Sequence, residues 1–167
     1  MGTISKILII DDSNEDQAIY RRFLMRSLGN SLEIIAYSTG LSGLTYLTEN
    51  VVDCILLDYQ LPDMSGIDIL KEIVVNKKSS APIIMLTGQG NEKVASEAFK
   101  LGASDYLVKN DLDEHSLYKT ISNVVEKISE ENKIREQEAK IKFMAYHDYL
   151  TGVSNRVHFY ELARASL

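Results

Sequence analysis

Three carboxylates, a hydroxyl and an ammonium recur along this chain, each at the end of a short apolar run. Asp11 and Asp12 follow residues 6–10, Asp58 follows 53–57, Thr87 follows 82–86 and Lys109 follows 104–108. Taken singly, each has a plain reading, since an acidic pair behind a strand is ordinarily a helix cap or a solvated loop. Brought together, they form a reaction centre. Clustered carboxylates repel one another and raise their own pKa values unless a cation joins them. A hard divalent ion such as Mg²⁺ resolves that conflict with oxygen ligands from one or two carboxylates, a backbone carbonyl and waters. The ion and Lys109 would neutralise the oxygens of an incoming phosphoryl group and leave one carboxylate free as nucleophile.

For these groups to meet, the apolar runs must be neighbouring strands that end at one edge. Five strands are expected, over 6–10, 32–36, 53–57, 82–86 and 104–108. The first, third and fourth are nearly all Ile and Leu with Val or Met, which predicts burial on both faces and helices on both sides. Amphipathic stretches between them predict helices over 14–28, 41–48, 66–76 and 92–101, and a last one starting near Leu112. Gly29 and Gly102 are expected to stop helices, and Asp111 with Glu114 reads as a capping box for the last one. Strand and helix in turn give an α/β fold with a doubly wound five-stranded parallel sheet. In such sheets ligands bind at the carboxyl edge, near the point where strand order reverses.

The composition suits a packed domain, with 45% apolar and 25% charged residues. A net charge of −6 argues against a nucleic-acid backbone as a partner of these residues and favours sites for a divalent cation. The lone cysteine, Cys54, lies in an apolar run and reads as a buried, inert thiol. The apolar run 7–10 is too short for a signal peptide or a membrane span. A soluble, cytoplasmic chain without membrane contact is therefore expected.

From Ser129 to Lys142 the composition shifts to eight charged residues in fourteen, with no Pro or Gly. Glu131 with Arg135, Glu136 with Lys140 and Glu138 with Lys142 are i,i+4 pairs in the favourable order, which predicts a continuous helix. Ile134 and Ile141 are one heptad apart, with Met144 and Ala145 just beyond. That pattern suits either a single solvated helix or a short two-stranded coiled coil.

Over about residues 4 to 127 the chain resembles the bacterial response-regulator receiver family. The resemblance is carried by Ile7-Leu8-Ile9-Ile10-Asp11-Asp12, by Ile55-Leu56-Leu57-Asp58-Tyr59-Gln60-Leu61-Pro62-Asp63-Met64-Ser65-Gly66, by Ile84-Met85-Leu86-Thr87-Gly88, and by Gly102-Ala103-Ser104-Asp105-Tyr106-Leu107-Val108-Lys109. It implies that Asp58 takes a phosphoryl group from a sensor histidine kinase or a phosphotransfer protein. It also implies that Asp12, Asp58 and the backbone carbonyl of Gln60 hold Mg²⁺, with Asp11 acting mostly through water. Thr87 and Lys109 would contact the phosphoryl oxygens, and Thr87 with Tyr106 would form a coupled switch. One position departs from the family: Pro usually follows the lysine, often through a cis bond, and here Asn110 follows. A cis bond to Asn would cost about 2.5 to 4 kcal/mol, so a trans bond is expected.

Near the C-terminus, Asp148-Tyr149-Leu150-Thr151-Gly152-Val153-Ser154-Asn155-Arg156 resembles the opening of the GGDEF domains, the diguanylate cyclases. The resemblance implies a guanine contact from Asn155. The chain stops at Leu167, before any Gly-Gly-Asp/Glu-Glu-Phe sequence, so cyclase activity is not expected of these residues. The expected organisation is a receiver over 1–127, a helical linker over 128–145 and the start of a GGDEF-type domain over 146–167. Its function would be to relay phosphorylation at Asp58 through the C-terminal helix to cyclic di-GMP synthesis. The chain would form a homodimer through that helix or through a receiver face. A second reading is a non-catalytic, phosphorylation-dependent interaction module with a degenerate output domain. A third, a hydrolase of the haloacid dehalogenase type, expects an Asp two residues after the nucleophile, where Gln60 stands.

Overall fold

A computed structural model describes residues 4–88 and 92–146 of the chain. Their elements alternate: β1 (Lys6–Ile10), α1 (Asn14–Leu28), β2 (Glu33–Tyr37), α2 (Gly40–Tyr46), β3 (Cys54–Asp58), α3 (Gly66–Val75), β4 (Ile83–Thr87), α4 (Glu92–Lys100), β5 (Asp105–Val108) and α5 (Glu114–Tyr146). The five strands form one parallel sheet in the order β2-β1-β3-β4-β5. Strand order reverses between β1 and β3, so the crevice expected of a doubly wound sheet opens where Asp11 and Asp58 stand.

Alternation along the strands divides the core in two. Leu8, Ile10, Ile55, Leu57, Ile83 and Met85 face α2, α3 and α4, where Leu44, Ile69, Leu70, Ile73 and Ala98 meet them. Their neighbours Ile7, Ile9, Cys54, Leu56, Ile84 and Leu86 face α1 and α5, against Tyr20, Leu24, Leu117, Ile121 and Val124. Both faces of the central strands are thus buried, as their unbroken apolar composition requires. Burial pushes the Cys54 thiol up to about 12, so it stays protonated and inert.

The first strand and the first helix have the expected bounds; β2, β3 and β4 start and end one residue later than expected, and β5 starts one residue later and ends as expected. The parallel ladder accounts for the shift. Leu32 donates to Gly29 O in the turn after α1, and the ladder starts only where Glu33 donates to Ser5 O, at 2.8 Å. At the far end Asp58 still pairs with Leu86, and Thr87 with Val108. Asp58 and Thr87 are therefore the last residues of β3 and β4, held by the sheet itself. The helices α2, α3 and α4 end one or two residues early, and α2 begins at Gly40, capped by the Thr39 side chain.

The expected cap of the last helix is corrected. Asp111 belongs to a 3-10 turn, Lys109–Asp111, by which the chain leaves β5, and Leu112 is extended. The box lies two residues on: Ser116 N donates to Asp113 Oδ1 at 2.7 Å and Asp113 N donates to Ser116 Oγ at 3.0 Å. From there α5 runs 33 residues, about 50 Å at 1.5 Å per residue. The chain falls into two units, Met1–Ile128 and Ser129–Leu167, and α5 passes through both. Among the described residues none of the three expected i,i+4 pairs closes as an ion pair, and apart from half-buried Glu131 their side chains are exposed. No helix among the described residues is long and apolar enough to cross a membrane.

Candidate functional site

The two-residue period of the strands decides which side chains can meet. Ile10 and Leu57 face α2, α3 and α4, so Asp11 and Asp58, one residue on, continue the face toward α1. Lys109 continues β5 in the same sense. Its Nζ lies 2.7 Å from Asp11 Oδ2, 2.9 Å from Asp58 Oδ2 and 2.9 Å from Asp16 Oδ2. Thr87 and Tyr106 belong to the opposite face: Tyr106 is the register partner of Met85, and Thr87 is two residues beyond it. Thr87 is buried, and the half-buried Tyr106 ring packs with the cluster under α2, α3 and α4.

Local bonds hold each carboxylate. Asp11, with no exposed surface, accepts from Ser13 N at 2.9 Å through Oδ1, just ahead of the Ser13 cap of α1. Asp58 Oδ1 accepts from Gln60 N at 3.3 Å. The loop after Asp58 is closed by a bridge between Gln60 and Ser65 and by Gly66 N donating to Tyr59 O at 2.8 Å. There Gly66 comes so close that a Cβ on it would stand 2.2 Å from Asp58 O. Asp63, in the same loop, accepts from Gly40 N at 2.9 Å and Leu41 N at 2.8 Å, tying the loop to the start of α2.

The electrostatics follow from burial. Desolvation raises the pKa values of Asp11 and Asp58, and Lys109 offsets only part of this. Burial alone would lower Lys109, but the carboxylates of Asp11, Asp58 and Asp16 around it outweigh this and hold the ammonium well above the ordinary lysine range.

One buried acceptor is left over. Asp11 Oδ2 touches Lys109 as an ion pair, and it has no hydrogen-bond partner among the described residues. One ligand oxygen from each of Asp11, Asp12 and Asp58 lies within 4.8 Å of the other two, a donor set of hard oxygens. These residues fit a divalent cation.

A family model, the response regulator receiver domain, matches residues 7–122. The chain belongs to that family. Transcriptional regulatory protein SrrA of Staphylococcus aureus (strain NCTC 8325 / PS 47) is 39% identical over 105 residues, 63% of this chain and 42% of SrrA. The chain thus matches less than half the length of such curated relatives. A CheY-like receiver domain protein from Methanospirillum hungatei JF-1 shares the fold with a TM-score of 0.68 at 23% identity, over 77% of this chain and 98% of that one. Chemotaxis protein CheY4 of Vibrio cholerae gives 0.65 at 25% identity, over 72% and 98%.

The bond between Lys109 and Asn110 in this receiver is trans, as expected, since no cis peptide bond occurs among the described residues. Asn110 Nδ2 donates to Gly88 O at 2.8 Å, linking the loops after β4 and β5. Asn155 and the motif around it lie outside the described residues. Two residues at the site were not foreseen. Asp16 reads in the sequence as an ordinary acidic residue of a first helical turn, and only the fold brings it to Lys109. Tyr20, one turn on, buries a hydroxyl without a hydrogen-bond partner among the described residues, and desolvation raises its pKa.

Proposed function

We propose that Asp58 of this two-component receiver accepts a phosphoryl group from the phosphohistidine of a sensor kinase or phosphotransfer protein. The observation that carries this is the contact of a buried carboxylate with a buried ammonium, Asp58 Oδ2 to Lys109 Nζ at 2.9 Å. An Asp58 oxygen forms the new O–P bond as the donor's N–P bond breaks, and the electron pair returns to the imidazole nitrogen. Lys109 meets the phosphoryl oxygens, and the Thr87 hydroxyl turns toward them. Asp11, Asp12, Asp58 and the Gln60 carbonyl would hold Mg²⁺, which supplies charge neutralisation at those oxygens when bound.

Phosphorylation adds about 1.5 to 2 negative charges and three strong acceptors, enough to bias a loop with two packings. Thr87 and Tyr106 share one face of neighbouring strands, which supports their acting together as the switch. The GGDEF-like motif from Asp148 to Arg156 supports a cyclic di-GMP output carried by residues beyond Leu167, with Asn155 at the guanine. SrrA, a transcriptional regulator by name, favours a second output, DNA binding by such residues. Assays of the full-length protein for cyclic di-GMP synthesis and for DNA binding separate the two.

Asp58→Asn tests the acceptor. Incubated with acetyl phosphate or a phosphorylated kinase, the natural chain gains a phosphoryl mass and the variant does not. A variant that still gains that mass removes Asp58 from the role.

A further inference from the structure

We propose that Asp16 is a positioning residue that keeps the Lys109 ammonium in the site while Asp11 and Asp58 serve a cation and a phosphoryl group. This rests on the receiver reading above and extends it to a residue on α1. Lys109 Nζ has three donors and three carboxylate neighbours, Asp11 at 2.7 Å and Asp58 and Asp16 at 2.9 Å each. Two of those neighbours belong to the set of carboxylates that can close on a divalent ion, together with Asp12; Asp16 does not. Ammonium and metal therefore compete for the oxygens of Asp11 and Asp58.

Asp16 is the carboxylate that lets both cations stay. It reaches Lys109 from the first turn of α1, where its own N–H is held by Ser13 Oγ at 3.2 Å, so its backbone is anchored apart from the sheet edge. With Asp16 in place, a metal ion draws Asp11 and Asp58 away and Lys109 still has a charged partner beside the phosphoryl position. Without it, Lys109 either grips Asp11 and Asp58 more tightly, at the metal's expense, or turns into solvent.

The test is a double-mutant cycle on Mg²⁺ affinity, measured by calorimetry on the whole chain. Asp16→Asn keeps the side-chain shape and weakens Mg²⁺ binding about fivefold, within the coupling range of contacting residues. In a Lys109→Met background, where the competitor is gone, Asp16→Asn has less than about half of that effect on a logarithmic scale. A spectroscopic arm follows the Lys109 ammonium by NMR in saturating Mg²⁺. In the natural chain its signal remains protected from exchange with water, and in Asp16→Asn it broadens. Equal losses of affinity in both backgrounds, or an ammonium signal unaffected by Asp16→Asn, overturns the proposal and leaves Asp16 a charge at a helix end. Failure of the natural chain to bind Mg²⁺ overturns the proposed metal-assisted phosphoacceptor role itself. Asp12→Ala, which leaves every Lys109 partner in place, separates the cases by abolishing binding only if the metal site is real.

Discussion

Lys109 Nζ and Asp58 Oδ2 stand 2.9 Å apart although their strands, β5 and β3, are separated by β4. Only a side chain as long as lysine spans that gap, and its charge is what makes the carboxylates at this edge tolerable. Lys109→Met should therefore leave Asp11 and Asp58 as uncompensated buried charges and destabilise the domain by about 3 kcal/mol in the presence of a chelator. Urea unfolding measures it. A loss of only a few tenths would mean that water, and not Lys109, screens these carboxylates.

Mg²⁺ should raise the melting temperature, because a ligand that binds only the folded state stabilises it by mass action. At ten times its Kd the gain is about 1.4 kcal/mol, or about 5 °C for a domain of this size. Asp12→Ala, which removes the exposed member of the carboxylate set, should erase the gain without lowering stability in chelator. A melting temperature indifferent to millimolar Mg²⁺ would count against the site.

Gly66→Ala probes the backbone under Asp58, the proposed acceptor. Its new methyl group would meet Asp58 O at 2.2 Å and the Tyr59 Cα at 2.9 Å, backbone atoms that have no rotamer to change. The variant should lose about 2 kcal/mol or more and phosphorylate more slowly, since the loop that donates Gln60 N to Asp58 must shift. Unchanged stability and rate would show that the loop yields at no cost.

The fold was legible because β1, β3 and β4 are apolar on both faces, which leaves them no place but the middle of a parallel sheet. The clustering of Asp11, Asp58 and Lys109 at one edge was legible because each ends or follows a short apolar run. Strand ends were not, since a run of Ile and Leu marks burial and not the last ladder bond; Asp58 and Thr87, read as flanking residues, are strand residues. Asp111 and Glu114 offered a capping box by spacing, but a turn of 3-10 helix intervenes and Asp113 caps instead. Asp16 could not be read at all, because its partner is 93 residues away and an acid in a first helical turn already has a local explanation.

Acid should weaken the domain in part through Asp53. Burial alone would raise its pKa, but Ser5 N at 2.7 Å, Lys6 N at 2.9 Å and the Ser5 hydroxyl at 2.9 Å outweigh it and hold the carboxyl below its ordinary value. A carboxyl lowered in the folded state contributes its full stability above the unfolded pKa. That contribution fades as pH falls through the ordinary carboxylate range, near 3.8, and is gone below the folded value. Asp53→Asn should cost about 1 kcal/mol at neutral pH, and the difference from the natural chain should close as pH falls through the folded value. Unfolding curves across that range check it, and a difference independent of pH would assign the loss to shape and not charge.

The second half of α5 should bring two copies of the chain together. Up to Val124 the helix is ordered by burial, with Leu117 and Ile121 fully enclosed under the sheet. Beyond Ile128 that support ends, yet Ile134, Ile141 and Met144 are 55%, 68% and 63% exposed. Their spacing of seven and three residues is that of one coiled-coil seam. Ion pairs do not replace the missing burial, since the expected i,i+4 pairs stay open, and in proteins most helical stability comes from packing of an apolar face. Pairing with a second copy would bury the stripe and supply the order. Dimerisation also fits the proposed output, because joining two GTP molecules into one cyclic dinucleotide calls for two facing cyclase domains. Sedimentation at several concentrations, with and without phosphorylation of Asp58, should show association that Ile141→Asp abolishes while leaving phosphorylation intact. A strict monomer in both states would leave α5 a solvated helix and place any dimer contact elsewhere.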